Sequence, residues 1–92
     1  MQITVEYTAQ MKRAAGVASE TVDVADGLGL AAFIIQLAEG RDEALRRHLV
    51  DSNGRPQSTV LAFRSDQQMR LDDPAPLQDG DSITFLAPIS GG

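Results

Sequence analysis

The chain contains no cysteine, a single histidine, His48, and a single lysine, Lys12. Without cysteine there is no disulfide framework, and no side-chain thiolate to act as nucleophile or metal ligand. No apolar run approaches the roughly 20 residues of a membrane-spanning helix, and the first residues lack the basic region of a secretory leader. A cytoplasmic location is therefore the default expectation, with no membrane partner. The formal net charge of −5 argues against nucleic acid, which requires basic patches to displace counterions. It is compatible with a basic partner surface, although so modest a charge often serves only solubility. No glycine-rich phosphate loop is present: Gly27-Leu28-Gly29 lacks the third glycine and the Lys-Ser/Thr pair of the known fingerprints. His48 stands among Arg46, Arg47 and Leu49 with no Cys, Asp or Glu at metal-ligand spacing, and reads as a solvated helix residue. The carboxylates Asp72, Asp73, Asp79 and Asp81 lie in turn-rich sequence and read as loop residues rather than an acid–base pair. Ser90 has no histidine at a triad position. The chain does not read as an enzyme by itself.

What is present suits one small α+β domain over residues 1–92. The apolar fraction of 42% and charged fraction of 23% are ordinary for a globular protein. From Gln2 to Thr8, Ile3, Val5 and Tyr7 alternate with polar residues, the period of a half-buried strand. Gln10 to Ser19 is polar and small and reads as a loose hairpin loop. Glu20 to Ala25 alternates again, with Val22 and Val24 expected in the core and an antiparallel pairing to the first strand. Asp26 or Gly27 is positioned to cap a helix from Leu28 to Glu39, whose stripe includes Leu30, Ile34, Ile35 and Leu37 and which Gly40 would end in a left-handed cap. A shorter helix follows, with Asp42 capping Glu43 to Val50. Asp51 to Ser58 is a loop, Thr59 to Phe63 a third strand, Arg64-Ser65-Asp66 a turn, and Gln67 to Leu71 a short edge strand. The prolines of Asp72 to Gln78 exclude a regular ladder there. The order β-β-α-(α)-β-β-β predicts one main helix packed on a mixed sheet, because parallel strands need a crossover and only the helix supplies a long one.

The last fourteen residues are the most informative stretch. Asp79-Gly80-Asp81 is a turn signal. From Ser82 to Ala87, Ile83, Phe85 and Ala87 alternate with Ser82, Thr84 and Leu86, which predicts a strand with one buried face and Leu86 on the solvent side. Pro88 lacks an N–H and ends the ladder. Ile89-Ser90-Gly91-Gly92 then forms a tail without side-chain bulk at its tip. Glycines without Cβ atoms can thread a channel too narrow for other residues and present one group, the terminal carboxylate, ionised above its reference pKa of about 3.5.

Gly80-Asp81, the apolar strand, Pro88-Ile89-Ser90 and terminal Gly91-Gly92 resemble the C-terminus of the MoaD/ThiS family of ubiquitin-like sulfur carriers. The close match covers about the last fifteen residues; the remainder agrees in element order and length. The resemblance implies a β-grasp fold and a flexible tail that a ubiquitin-activating-like enzyme adenylates, with ATP and metal bound by that partner and no cofactor bound by this chain. It implies conversion of Gly92 to a thiocarboxylate, threading of Ser90 and Gly91 into the partner, and docking through Leu86, Pro88 and Ile89. With no cysteine available, a carried sulfur must sit on the backbone terminus. The Pro-Ile-Ser-Gly-Gly ending resembles the small subunit of molybdopterin synthase, which implies a large catalytic subunit as sulfur acceptor. Carriers that serve thiazole or cysteine synthesis, and modifiers conjugated to lysines, share the same activation chemistry. The chain departs from the family where Phe63-Arg64-Ser65-Asp66 replaces the usual Val-Asn-type turn after strand three, and in a longer loop from Asp51 to Ser58; both weaken assignment to a particular acceptor.

Overall fold

A computed structural model describes residues 1–87. The expectations for Pro88, Ile89, Ser90, Gly91 and Gly92 lie outside the described residues. The elements run β1 (Gln2–Tyr7), α1 (Ala9–Ala15), β2 (Ser19–Asp23), α2 (Leu30–Ala38), α3 (Glu43–Leu49), β3 (Leu61–Arg64), β4 (Gln67–Met69) and β5 (Ser82–Leu86).

The five strands form one mixed sheet in the order β2-β1-β5-β3-β4. β1 pairs antiparallel with β2, placing Ile3 opposite Val22, and parallel with β5, placing Val5 opposite Ile83. β3 pairs antiparallel with both β5 and β4. First and last strands thus lie side by side at the centre, the β-grasp arrangement. Alternation along each strand sends one set of side chains to a single core, because successive residues face opposite sides of a sheet. Ile3, Val5 and Tyr7 of β1, Ile83 and Phe85 of β5 and Ala62 of β3 meet Leu30, Phe33, Ile34 and Leu37 of α2 there. Leu45 and Leu49, one turn apart on α3, close the same core.

Several local expectations are corrected. The segment from Gln10 to Ser19 is not a loose loop: seven of the residues between β1 and β2, Ala9–Ala15, form α1. Their composition favours helix, since Ala, Gln, Met, Lys and Arg all cost little backbone or rotamer freedom there. Met11, fully buried, anchors the helix, and the half-buried Ala14 and Ala15 follow one turn later on the same side. Gly16 ends the helix in the left-handed region at φ 79°, where its N–H bonds the Lys12 carbonyl at 3.0 Å. On α2 the N-cap is Gly29, not Asp26 or Gly27. Gly40 is left-handed at φ 75° as expected, but the helix stops at Ala38 and Glu39 is the extended cap residue. Ile35 is exposed, because a helix advances about 100° per residue and only Ile34 of that pair can face the sheet. Val22 and Val24 face the core as expected, Val24 buried in it and Val22 half-buried against it. The third strand starts at Leu61 and includes Arg64, so the β3–β4 hairpin loop is Ser65-Asp66 alone. Between β4 and β5 the proline-containing segment has no ladder, yet Leu77 is buried and its N–H bonds the Leu28 carbonyl at 2.8 Å.

Candidate functional site

The C-terminal strand is fixed at both ends. At its start, Asp79-Gly80-Asp81 forms the expected turn, with Gly80 at φ 87°, a conformation that favours glycine. The turn is tied to β1: the Gln2 N–H donates to Asp79 Oδ1 at 2.7 Å and the Gly80 N–H to the Gln2 carbonyl at 2.8 Å. Asp81 Oδ2 accepts the Gln78 N–H at 2.8 Å and lies 2.9 Å from the Arg64 guanidinium at the end of β3. The Thr4 N–H bonds the Asp81 carbonyl at 2.9 Å, beginning the parallel ladder. At the other end of β5, the Thr8 hydroxyl donates to the Phe85 carbonyl at 3.0 Å. Thr8 is the N-cap of α1, so its hydroxyl anchors the C-terminal strand instead of capping the helix. Ala87, the last described residue, is buried.

Leu86 lies on the outer face of the sheet, as its place in the alternation predicts, and is half-buried. It stands opposite Leu61 on β3, and Phe63 on the same face stands opposite Thr84. Directly opposed residues on neighbouring strands have Cβ atoms about 5 Å apart. Leu86, Leu61 and Phe63 therefore form a half-buried apolar patch next to the point where the chain leaves the sheet. Polar residues border it: the Thr84 hydroxyl donates to Glu6 Oε2 at 3.3 Å. Leu61 and Phe63 were not singled out from the sequence. β3 is apolar on both faces, so its alternation does not reveal which side is solvated.

The other candidate groups are accounted for structurally. Asp72 pairs with Arg70 at 3.2 Å, and Asp73 Oδ1 accepts the Ala75 N–H at 2.9 Å. With Asp79 and Asp81 these carboxylates shape turns and do not converge as an acid–base pair. His48 is half-buried on α3. Among the described residues no three His, Cys, Asp or Glu side chains are grouped to hold a metal ion. No helix among them is long and apolar enough to cross a membrane.

One polar cluster reaches the core. The Tyr7 hydroxyl donates to Glu20 Oε2 at 2.6 Å, and Arg41 lies 2.8 Å from the other Glu20 oxygen. Burial and then the Glu20 contact push the Tyr7 phenol above its ordinary pKa, with Arg41 opposing. The cluster joins β1, β2 and the segment after α2, and lies on the core side, away from the Leu86 patch.

Comparison with known proteins covers both sheet and terminus. The model of the ThiS family matches residues 5–92. The chain is 30% identical to the molybdopterin synthase sulfur carrier subunit of Chlamydomonas reinhardtii over 95 aligned residues, covering 100% of both chains. Among solved structures, SAMP1 from Haloferax volcanii superposes with a TM-score of 0.83 at 20% identity, covering 100% of both chains. A complex of subunits 1 and 2 of molybdopterin-converting factor from Helicobacter pylori contains a chain matching at TM-score 0.57 and 24% identity, again over 100% of both.

Proposed function

The chain belongs to the ThiS family, and on that premise we propose that it carries sulfur as a thiocarboxylate on Gly92 for molybdopterin synthesis. The observation that carries this reading is the family match running through residue 92, so that it includes Gly91-Gly92 as well as the β-grasp body. A carboxylate oxygen of Gly92 attacks the α-phosphorus of ATP on an activating enzyme; an O–P bond forms and pyrophosphate leaves. A persulfide sulfur of the sulfur donor then attacks the acyl carbon and AMP leaves. A thiol reduces the resulting acyl disulfide, releasing the thiocarboxylate. ATP and the metal that balances its charge sit on the partner. This chain supplies recognition and the acyl group, and no catalytic side chain.

Docking involves Leu86 together with Leu61 and Phe63, since apolar anchors at an interface centre concentrate binding energy. Pro88 and Ile89 extend that surface, and Ser90 and Gly91 thread the partner's channel. The sulfur acceptor is a large synthase subunit; support comes from the relative named as a sulfur carrier subunit and from the complex of two converting-factor subunits.

Intact mass of the untagged protein from its native cells tests the proposal. A species heavier by the replacement of one oxygen with sulfur, mapped to Gly92 and absent after deletion of Gly92, is expected. A free-acid mass unchanged by ATP, a sulfur donor and native extract would remove the carrier reading. Tail-dependent conjugates on lysines of other proteins would replace it with a modifier role.

A further inference from the structure

β2 forms one edge of the sheet, and among the described residues no strand pairs with its outer side. The ladder to β1 fixes which backbone groups remain free. The Met1 amine donates to the Val24 carbonyl at 2.7 Å and the Val24 N–H to the Met1 carbonyl at 2.9 Å. The Tyr7 N–H bonds the Ala18 carbonyl at 2.8 Å. In an antiparallel ladder inward and outward residues alternate, so Ala18, Glu20, Val22 and Val24 face β1. Ser19, Thr21 and Asp23 therefore turn their N–H and C=O groups outward, a row of three residues ready to receive another strand. The opposite edge is less suited: β4 has only three residues, and a proline-containing segment follows it.

Beside the free edge of β2 lies a groove of about 250 Å³ between β2 and α2. Val22, Asp23 and Val24 line it from the strand, Phe33, Gln36 and Leu37 from the helix, and Arg41 from the segment beyond; of the apolar ones Val22 is half-buried and Val24, Phe33 and Leu37 are buried. A strand added to β2 would point alternate side chains toward this groove, where Val22 offers apolar contact and Asp23, Gln36 and Arg41 form the polar border. Main-chain bonds at the edge and a groove for every second side chain are the two parts of recognition by strand addition.

Charge selects the occupant. Residues 19–40 contain four carboxylates, Glu20, Asp23, Asp26 and Glu39, and no lysine, arginine or histidine. Arg41 is engaged by Glu20 at 2.8 Å and by the Leu37 carbonyl at 3.2 Å. The Met1 amine lies 3.1 Å from Asp26 and 3.8 Å from Asp23, yet these two side chains remain 91% and 84% exposed. An incoming cation can reach both. We propose that the β2 edge and the β2–α2 groove dock an extended segment of another protein, with alternating apolar side chains and a lysine- or arginine-rich flank. β1 separates this site from β5, so its occupant leaves the Leu86 patch accessible, and the site stands whatever the terminus carries.

The test titrates the full-length, ¹⁵N-labelled protein with a blocked peptide Lys-Lys-Thr-Val-Ser-Val-Thr-Val, a counterpart beginning Glu-Glu, and a Lys-Lys counterpart with every valine replaced by serine. Only the first should produce amide shifts centred on Ser19–Val24, Phe33 and Leu37, with slowed exchange at Ser19, Thr21 and Asp23. Thr21→Pro removes an outward N–H without touching the β1 ladder and should weaken binding about tenfold, the size of one lost hydrogen bond. Val22→Asp, which places a charge in the groove, should abolish binding and serves where the proline variant does not fold. No shifts at millimolar peptide, shifts centred on Leu61, Phe63 and Leu86, or equal binding of the Glu-Glu peptide would each overturn the proposal. So would unchanged affinity in a folded Thr21→Pro variant.

Discussion

Replacing Asp81 with alanine should be among the costliest single changes outside the apolar core, and the structure supplies the magnitude. The Asp81 carboxylate accepts the Gln78 N–H at 2.8 Å and pairs with Arg64 at 2.9 Å. Its side chain is 16% exposed, against 39% for Arg64, so the ion pair is screened on one side. Counting that pair at the low end for a charged contact, about 1 kcal/mol, and the amide bond to a carboxylate at about 1.5 kcal/mol, Asp81→Ala should cost about 2–3 kcal/mol. Arg64 sharpens the expectation, because its Nε is buried with no hydrogen-bond partner among the described residues. Loss of Asp81 then leaves the guanidinium without its one ion pair among the described residues, in a half-buried place. Asp81→Asn keeps an oxygen for the Gln78 N–H and should cost only about 1 kcal/mol. Arg64→Leu combined with Asp81→Ala should be less destabilised than the sum of the single changes, as expected for residues in contact. Urea unfolding monitored by circular dichroism measures all four, with an unchanged m-value as the sign that the fold is intact. Equal losses for alanine and asparagine, or an alanine loss under about 0.5 kcal/mol, would refute the assignment of Asp81 as the tie between β3 and the start of β5.

Other positions give separable outcomes. Tyr7→Phe should lower stability by about 1 kcal/mol at neutral pH through the lost bond to Glu20. Because the folded phenol titrates above its unfolded value near 10, its contribution is complete below that pH and lost as pH rises beyond it, so the wild-type advantage over Tyr7→Phe should shrink in alkaline melts. Met11→Ala should cost about 2–4 kcal/mol by opening a cavity under α1, measured by thermal unfolding; a loss no greater than that of an exposed substitution would contradict its burial. Ser65→Gly should raise the melting temperature by a few degrees, about 0.5–1 kcal/mol, since Ser65 holds φ 55° at the first position of the two-residue β3–β4 loop.

How far the sequence reveals the fold depends on whether one face of an element is polar. β1 and β5 are legible because Ile3, Val5 and Tyr7, and Ile83 and Phe85, alternate with polar residues and so declare their buried faces. β3 does not, and Leu61 and Phe63, which complete the patch around Leu86, stay hidden until pairing with β5 sets the register. α1 is missed for a different reason. It presents one large apolar residue, Met11, and small residues that also suit a loop, so periodicity has almost nothing to act on in seven residues. The α2 cap is illegible because Gly29 makes no side-chain cap bond, while Asp26, the better capping residue type, is drawn to the Met1 amine at 3.1 Å. For β3 and for the α2 cap, a contact distant in sequence decides the outcome.

The position of β5 bears directly on the proposed transfer chemistry. β5 lies between β1 and β3, so both of its edges are hydrogen-bonded, and the Thr8 hydroxyl holds the Phe85 carbonyl on the way out. A partner that draws the following residues into a channel therefore pulls on a central strand, whose release requires breaking two ladders rather than one. The Leu86 patch is built from the same strand and its neighbour, so the distance from this proposed docking surface to Ala87 is set by sheet geometry rather than by a loop. The turn at Asp79-Gly80-Asp81 sets the register of that strand, and a one-residue slip would turn Leu86 into the core and Phe85 out of it. Stability at Asp81 is thus separable from the proposed docking at Leu86 and the proposed chemistry at Gly92. Substitutions that impair the last two without lowering the urea midpoint distinguish recognition from folding.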